Sequence, residues 1–373
     1  MVSIHACIIV RHNHFRFSVA KFRGSEVARL VPCHFATSLP RPLKRSIPLK
    51  TYKIPNTDLE VSRLAFGTWH MGGTWDKTPP GDDLKERAGR LLDAAVDNGI
   101  THIDLADIYT MGKSDSVVGD ALSKRPGMRE KLVLQQKVGI VIGGNPDFGP
   151  PGRYDFSYDH IVTEVEASLT RLQTDYVDIL ALHRPDPLFE PEEVAKAFDH
   201  LHSSGKVRYF GVSNHNWAQI SNLQSCVDQK LVLNQVELNI MHHYLISDGM
   251  TANMVDTTAY AGAMGTLDYC RQHDIMIQAW SPVAGGSIFN PGEDAADNVK
   301  AVAALLNELA ATHNTTPAAI AFAWLLRHPA GIQPIVGSLN PKRIPEAVPA
   351  DDVELSRVEW YRLLEAARGA AVP

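Results

Sequence analysis

Three apolar runs, Thr101-His-Ile-Asp-Leu-Ala-Asp-Ile-Tyr109, Leu132-Val-Leu-Gln-Gln-Lys-Val138 and Tyr176-Val-Asp-Ile-Leu-Ala-Leu-His183, each carry a polar side chain at or near the carboxyl end. Those side chains are Asp104 with Tyr109, then Lys137, then His183. Each run is β-branched and aliphatic, reads as a buried strand, and is followed by a helical pattern. In a closed barrel of alternating strands and helices, the carboxyl ends of the strands meet at one rim, where chemistry is placed. An acid, a phenol, an amine and an imidazole brought to one rim make a proton-transfer site.

The alternation extends in both directions. Residues 51–62 read as a short hairpin turning at Pro55-Asn56, a cap under the barrel. Strands are expected at 64–69, 101–106, 132–138, 176–183, 207–213, 231–238, 275–281 and 332–336. Helices are expected at 83–97, 114–123, 158–171, 190–204, from Trp217, and at 264–273, 296–311, 317–327 and 355–367. Asn98-Gly99 and Gly205 are stop signals. Eight strands alternating with helices predict an α/β fold, a single (β/α)8 TIM barrel with an N-terminal capping hairpin and a C-terminal helix. The open doubly wound alternative calls for Gly-x-Gly-x-x-Gly after the first strand, and that string is absent. Gly112-Lys113-Ser114 resembles the end of a phosphate loop, but Asp107 stands where the first glycine of that loop belongs.

With 373 residues, 45% of them hydrophobic and 21% charged, the chain can bury a full core. Its net charge of −6 hides an asymmetry. Residues 1–50 hold nine Lys or Arg against Glu26 alone, leaving 27 basic and 41 acidic residues in 51–373. The body is therefore mildly acidic, with no nucleic-acid footprint. The acid-poor head resembles an organelle transit peptide in composition; a disordered tail or an upstream start codon reads equally well. Pro32, Pro40, Pro42 and Pro48 argue against a folded extension, so the barrel is assigned to 51–373. Four scattered cysteines form no Cys-x-x-Cys pair, which supports neither a disulfide framework nor a zinc ribbon and suggests a reducing compartment. No apolar run approaches the roughly 18 residues of a membrane span. A cytoplasmic protein is expected, or an imported one if the head is a transit peptide.

A proton-transfer site needs an acid that can release its proton near neutral pH. A tyrosine with a pKa of about 10 holds its proton tightly at neutral pH. A nearby lysine ammonium favours the phenolate, and a carboxylate keeps that lysine charged despite burial. The spacing Asp104-Leu-Ala-Asp-Ile-Tyr109, with Lys137 and His183 near the ends of the next two strands, resembles the tetrad of the aldo-keto reductases. The likeness runs from about 51 to 367, and His183-Arg-Pro-Asp-Pro187 and Gly205-Lys-Val-Arg-Tyr-Phe-Gly-Val-Ser-Asn214 are similar to a bacterial-type oxidoreductase branch. The resemblance implies Tyr109 as general acid, Lys137 as its tuner, Asp104 as the lysine's partner and His183 as the donor orienting the carbonyl. Taken singly, each of these residues also fits a structural role: an ion pair, a rim cap, one of 16 histidines.

The resemblance also implies NADPH, with NADH possible, bound in extended form before a small-molecule aldehyde or ketone. Ser213, Asn214 and Gln235 match contacts to the nicotinamide carboxamide. Trp280 stands where an aromatic ring stacks on the nicotinamide, with a barrel-core aromatic as the other reading. The stretch Ser281-Pro-Val283-Ala-Gly285-Gly286 offers donors and close backbone approach to a pyrophosphate. Gly337, Ser338, Arg343 and Glu346 resemble an adenosine-phosphate clamp. There Arg343 is suited to a 2′-phosphate, or is simply a solvated helix start. Some branches carry Lys at the Gly337 position and Asn at the Ala347 position, so this chain has fewer contacts for that phosphate.

Trp69, His70 and Trp75 wall a substrate pocket or pack as ordinary loop, and His242 belongs to a substrate loop. Adjacent His242 and His243 seldom face one centre, so no metal site is expected. Loops 139–154, 241–264 and 282–294 are long for a compact domain. The 250–264 stretch reads as an insertion, either a lid or a surface elaboration. Two further readings compete with catalysis: a cofactor-binding regulatory subunit of a membrane protein, and a Schiff-base lyase using Lys137. The lyase needs a neutral amine, which Asp104 opposes. Oligomeric state is left open.

Overall fold

Strand and helix follow the apolar runs in the computed structural model, which describes residues 3–11, 14–22, 49–143, 152–251 and 264–373. Eight parallel strands close into a barrel in chain order. They are β1 (Ala65–Gly67), β2 (His102–Asp104), β3 (Val133–Val138), β4 (Val177–Leu182), β5 (Val207–Ser213), β6 (Leu231–Glu237), β7 (Met276–Trp280) and β8 (Gln333–Val336). β8 closes against β1 with Ile335 opposite Ala65. Around it lie α1 (Asp82–Asp97), α2 (Lys113–Ser123), α3 (Tyr158–Leu172), α4 (Pro191–Ser203), α5 (Trp217–Gln224), α6 (Thr266–Gln272), α7 (Asp297–Thr312) and α8 (Pro317–Leu326), with α9 (Arg357–Arg368) at the C-terminus. The fold is the expected (β/α)8 barrel.

Local chemistry sets the ends of these elements. Ser157 caps α3, Thr316 caps α8 ahead of Pro317, and Asn216 with Gln219 and Ser356 with Glu359 form capping boxes on α5 and α9. The expected hairpin pairs Thr51–Lys53 with Glu60–Ser62, turning through Asn56 at φ 60°. Its Ile54, Leu59 and Val61 plug the barrel floor against Val133, Ile179, Leu233 and Met276.

Side chains alternate along a strand, so stepping two residues upward carries the interior from this apolar floor to the rim. β3 presents Val133, Gln135 and Lys137, and β7 presents Met276, Gln278 and Trp280. Polar amides thus occupy the layer directly above the floor.

Two differences from the sequence reading stand out. Residues 139–154, expected as an irregular loop, contain an antiparallel pairing of Ile140–Val141 with Arg153–Tyr154. Residues 1–44 form a unit of their own, in which Ser3–Arg11 pairs with His14–Phe22. The prolines cited against a folded head lie outside the described residues, as does 252–263, most of the suspected insertion. Among the described residues no helix is long and apolar enough to cross a membrane.

α9 is fastened to α8 by Trp324 and Trp360, stacked at 5.0 Å, each indole N–H donating to the other's carbonyl oxygen at 3.1 and 3.0 Å. Truncating a buried Trp removes both the area and the hydrogen bonds. Trp360→Ala is expected to lower unfolding stability by about 3–5 kcal/mol, measured as the shift in urea midpoint at unchanged m-value.

Candidate active site

Asp104 ends β2, and the chain turns sharply to reach Tyr109. Tyr109 N–H donates to the Ala106 carbonyl at 3.0 Å, and Asp107 N–H donates to that of Lys137 at 3.0 Å, holding the turn against β3. The next three residues, Thr110, Met111 and Gly112, have φ of 50°, 61° and 79°. Two of them bear side chains in the left-handed region, a strained arrangement that needs support.

The support comes from Gly112-Lys113-Ser114, the stretch dismissed as a phosphate loop. Ser114 Oγ donates to the Thr68 carbonyl at 2.8 Å and lies 3.0 Å from Thr110 Oγ1, while Lys113 Nζ donates to Asp76 at 3.0 Å. Gly72 is required at this crossing, since a Cβ there would stand 2.2 Å from Thr110 Oγ1 and 2.6 Å from Lys113 Cβ. The turn that presents Tyr109 is thereby clamped to the loop after β1.

The four residues of the expected tetrad converge. Lys137 Nζ, fully buried, donates to Asp104 Oδ1 and sits 4.9 Å from the centre of the Tyr109 ring. The rings of Tyr109 and His183 meet edge to face at 5.9 Å. His183 N–H donates to the Val138 carbonyl at 2.9 Å, which ties the end of β4 to the end of β3.

Burial pushes the Lys137 ammonium below its ordinary value, with Asp104 the largest charge pulling it back. Burial, Lys137 and Arg184 hold His183 well below the usual imidazole range, so it is neutral at pH 7. The Tyr109 phenol is raised well above its ordinary value by burial and by the charges of Asp104 and Asp107. This reverses the expectation that Lys137 lowers it: in the ligand-free site desolvation and two carboxylates dominate, and the phenol holds its proton.

Beyond the tetrad, Ser213 Oγ donates to the Gln235 carbonyl at 2.9 Å. The Asn214 amide donates to the His183 carbonyl at 3.2 Å and accepts from Trp280 Nε1 at 3.0 Å. Gln235 Nε2 donates to Asp104 Oδ1 at 2.7 Å and also to Gln278 Oε1. Trp280, Ser281 and Val283 are half-buried, and Gly285 is exposed. A Cβ added at Gly285, Gly286 or Gly337 meets nothing within 4 Å, so the backbone there lies open along the rim. Ser338, Arg343 and Glu346 follow β8, with Arg343 and Glu346 exposed and Ser338 Oγ accepting from Asn340 N–H at 3.1 Å.

Trp69 is exposed and stacks on His70 at 4.4 Å, with Trp75 edge-on at 6.4 Å. His242 is held over its loop, its N–H donating to Asn239 Oδ1 at 2.7 Å. Among the described residues no group of three or more His, Cys, Asp or Glu is placed to hold a metal. A cavity of about 200 Å³ opens beside the Asp107–Gly112 turn toward His160, Glu164 and Arg171 of α3; no tetrad residue lines it.

Sequence reasoning missed Arg184, whose guanidinium lies 5.6 Å over the Trp280 ring. It also missed Gln135, Gln278 and Gln333. The available signal was a glutamine inside each of three apolar runs, next to Leu134, to Ile277 and to Ile332.

The closed eight-stranded parallel barrel places the chain in the (β/α)8 class. Residues 63–368 match the Aldo/keto reductase family, and the chain belongs to it. It is 39% identical over 320 residues to the uncharacterized oxidoreductase YcsN of Bacillus subtilis, covering 85% of this chain and 97% of that protein. A 6-dehydroglucose reductase of Agrobacterium fabrum is 36% identical, with 84% and 97% covered. Among solved structures, the thermostable aldo-keto reductase Tm1743, in complex with the inhibitor epalrestat, superposes with a TM-score of 0.67 at 26% identity, covering 85% of this chain and all of that one. The protein is an NAD(P)H-dependent oxidoreductase acting on carbonyl or CH–OH groups of small molecules.

Removing the carboxylate tests the buried pair. In Asp104→Asn the largest charge opposing burial of Lys137 is gone, so its folded-state pKa falls further below the unfolded value. Between those two values the unfolded chain holds the extra proton, and stability rises with pH. The variant is expected to lose about 3–5 kcal/mol at neutral pH and to regain part of it by about pH 9; urea unfolding at both values checks the sign.

Proposed function

We propose that the protein reduces an aldehyde or ketone to an alcohol with NADPH, with Tyr109 as the general acid. The observation that carries this reading is the buried Lys137–Asp104 pair beneath the Tyr109 ring, with neutral His183 edge-on to it. A reduced nicotinamide, when bound, supplies the hydride that reaches the carbonyl carbon. The open backbone at Gly285, Gly286 and Gly337 supports an extended dinucleotide, and the exposed Arg343 after β8 is free of burial for pairing with a 2′-phosphate.

Within this reading each residue has one task. His183 hydrogen-bonds the carbonyl oxygen and fixes its direction. Tyr109 gives that oxygen its proton, breaking the phenolic O–H as the alcohol O–H forms. The Lys137 ammonium stabilises the phenolate left behind until solvent returns a proton. Asp104 keeps Lys137 charged for that purpose. Trp69 and Trp75 give the entrance apolar walls. The 6-dehydroglucose reductases among the relatives make a sugar carbonyl a second substrate class to assay beside an aromatic aldehyde.

The test is NADPH oxidation with 4-nitrobenzaldehyde by the parent and by Tyr109→Phe. Loss of a general acid lowers turnover by roughly 100-fold or more, and that collapse is the expected result. A parent that binds NADPH yet turns over no carbonyl overturns the reading, and activity surviving in the variant overturns the choice of acid. A second measurement concerns the phosphate. Arg343→Ala is expected to raise KM for NADPH roughly 10- to 100-fold, the range of a charge-assisted hydrogen bond, and to leave KM for NADH unchanged. Equal effects on both cofactors remove Arg343 from the 2′-phosphate.

A further inference from the structure

Four glutamines cross the barrel interior between its floor and Asp104. Gln235, Gln278 and Gln333 stand opposite one another on β6, β7 and β8, and Gln135 is opposite Asp104 on β3. All four are buried. The bonds run in one direction. Gln333 Nε2 donates to the Ser62 carbonyl at 2.7 Å, and Gln278 Nε2 donates to Gln333 Oε1 at 2.9 Å. Gln278 Oε1 accepts from Nε2 of Gln135, at 2.9 Å, and from that of Gln235. The same two Nε2 atoms reach Asp104 Oδ1, at 3.3 and 2.7 Å.

The two ends of an amide are alike in size, so its direction is set by what it faces. A backbone carbonyl only accepts. Ser62 therefore requires the Nε2 end of Gln333, which turns Gln333 Oε1 toward Gln278. Gln278 must answer with its Nε2, which leaves its Oε1 pointing to Gln235 and Gln135. At the upper end Asp104 is again an acceptor, so each of those amides spends one N–H on Asp104 and the other on Gln278. Both donors of Gln235 are then committed, and only its Oε1 is left for a ligand.

We propose that Gln278 is a positioning residue for the reaction. Through it the Ser62 carbonyl reinforces the direction that Asp104 imposes on the Gln235 amide, so that Gln235 donates to both Asp104 and Gln278 and offers the cofactor carboxamide an acceptor alone. The inference rests on the NAD(P)H-binding reading above. It specifies a carboxamide whose NH2 group faces Gln235, and it makes selection for that group depend on a side chain that touches neither cofactor nor substrate.

The experiment measures dissociation constants of three oxidised nucleotides by calorimetry: NADP+, its thionicotinamide analogue, which keeps the NH2, and its 3-acetylpyridine analogue, which has no N–H there. Parent, Gln278→Leu and Gln278→Glu are compared. The parent is expected to bind the first two alike and the acetylpyridine analogue roughly tenfold more weakly, as for one lost hydrogen bond. Leu fills the volume but accepts nothing, so Gln235 is held in its direction by Asp104 alone and the discrimination falls. A buried Glu side chain in its protonated form keeps the acceptor for Gln235 and a donor for Gln333, so that variant retains the discrimination.

A space-filling role for Gln278 gives the opposite order, with Leu tolerated and Glu defective; that order overturns the proposal. Equal affinity of the parent for all three nucleotides overturns the amide direction while leaving the cofactor reading standing. Failure of the parent to bind any of them overturns both. With 4-nitrobenzaldehyde, Gln278→Leu is expected to lower kcat roughly tenfold with KM for the aldehyde within about twofold, the mark of an interaction expressed in the transition state. If Gln278→Leu does not fold, retention of selectivity by Gln278→Glu still decides: its loss there overturns the proposal.

Discussion

The ion pair between Lys137 and Asp104 is the constraint around which the site is organised. Both side chains are buried, and taking two charges out of water is repaid only when geometry is good and the remaining lone pairs are satisfied. Here Asp104 Oδ1 receives Gln135 and Gln235 as well as the ammonium. The pair in turn fixes its surroundings. The lysine charge helps keep His183 neutral, and the carboxylate helps keep Tyr109 protonated. A neutral donor beside a protonated phenol is the state a carbonyl oxygen needs to meet.

Barrel interiors are usually filled by layers of branched aliphatic side chains. This one is aliphatic at its floor, where Val133, Leu233 and Met276 meet the hairpin plug. One layer higher, four amides stand beside Ile179. A partly satisfied polar layer is worse than an apolar one; here the Nε2 of all four amides is paired, while the Oε1 of Gln135 and both ring nitrogens of neighbouring His102 lack a partner. Burial drives His102 down to about 4, so it enters the layer uncharged. The layer links the carboxylate that holds Lys137 to the hairpin that seals the opposite end.

Much of this was legible in the chain. Strand and helix positions followed from apolar period and caps, since each depends on residues close in sequence. The tetrad was legible because a barrel brings successive strand ends to one rim, so order along the chain is order around the site. What was not legible depends on more than one strand at once. The direction of the Gln278 amide is decided by a carbonyl at Ser62 and a carboxylate at Asp104, far apart in sequence. The direction of the Tyr109 shift was misjudged for a related reason. The spacing sets one lysine against one phenol, whereas desolvation, then the carboxylates of Asp104 and of Asp107 in the turn after β2, tip the balance. Lys113 and Ser114 were weighed as a ligand loop because their spacing suggests one; their work is to hold a strained turn.

That turn shows where the molecule stores backbone strain. Several side-chain-bearing residues in the left-handed region are Asn or Asp, as at Asn56, Asp274 and Asn314, where that conformation costs little. Thr110, Met111, Ser281 and Ala284 lack that excuse, and they lie on the rim with Asn214. Three of them have local fastening: Ser114 on Thr110, the Asn239 amide on the Ser281 carbonyl at 3.0 Å, and Trp280 and His183 on Asn214. Strain persists only where surrounding bonds over-determine it. The bonds that hold these residues are made within the protein, before any ligand arrives. Among the described residues, Thr110, Ser281 and Asn214 are therefore held in shape by bonds of the protein's own.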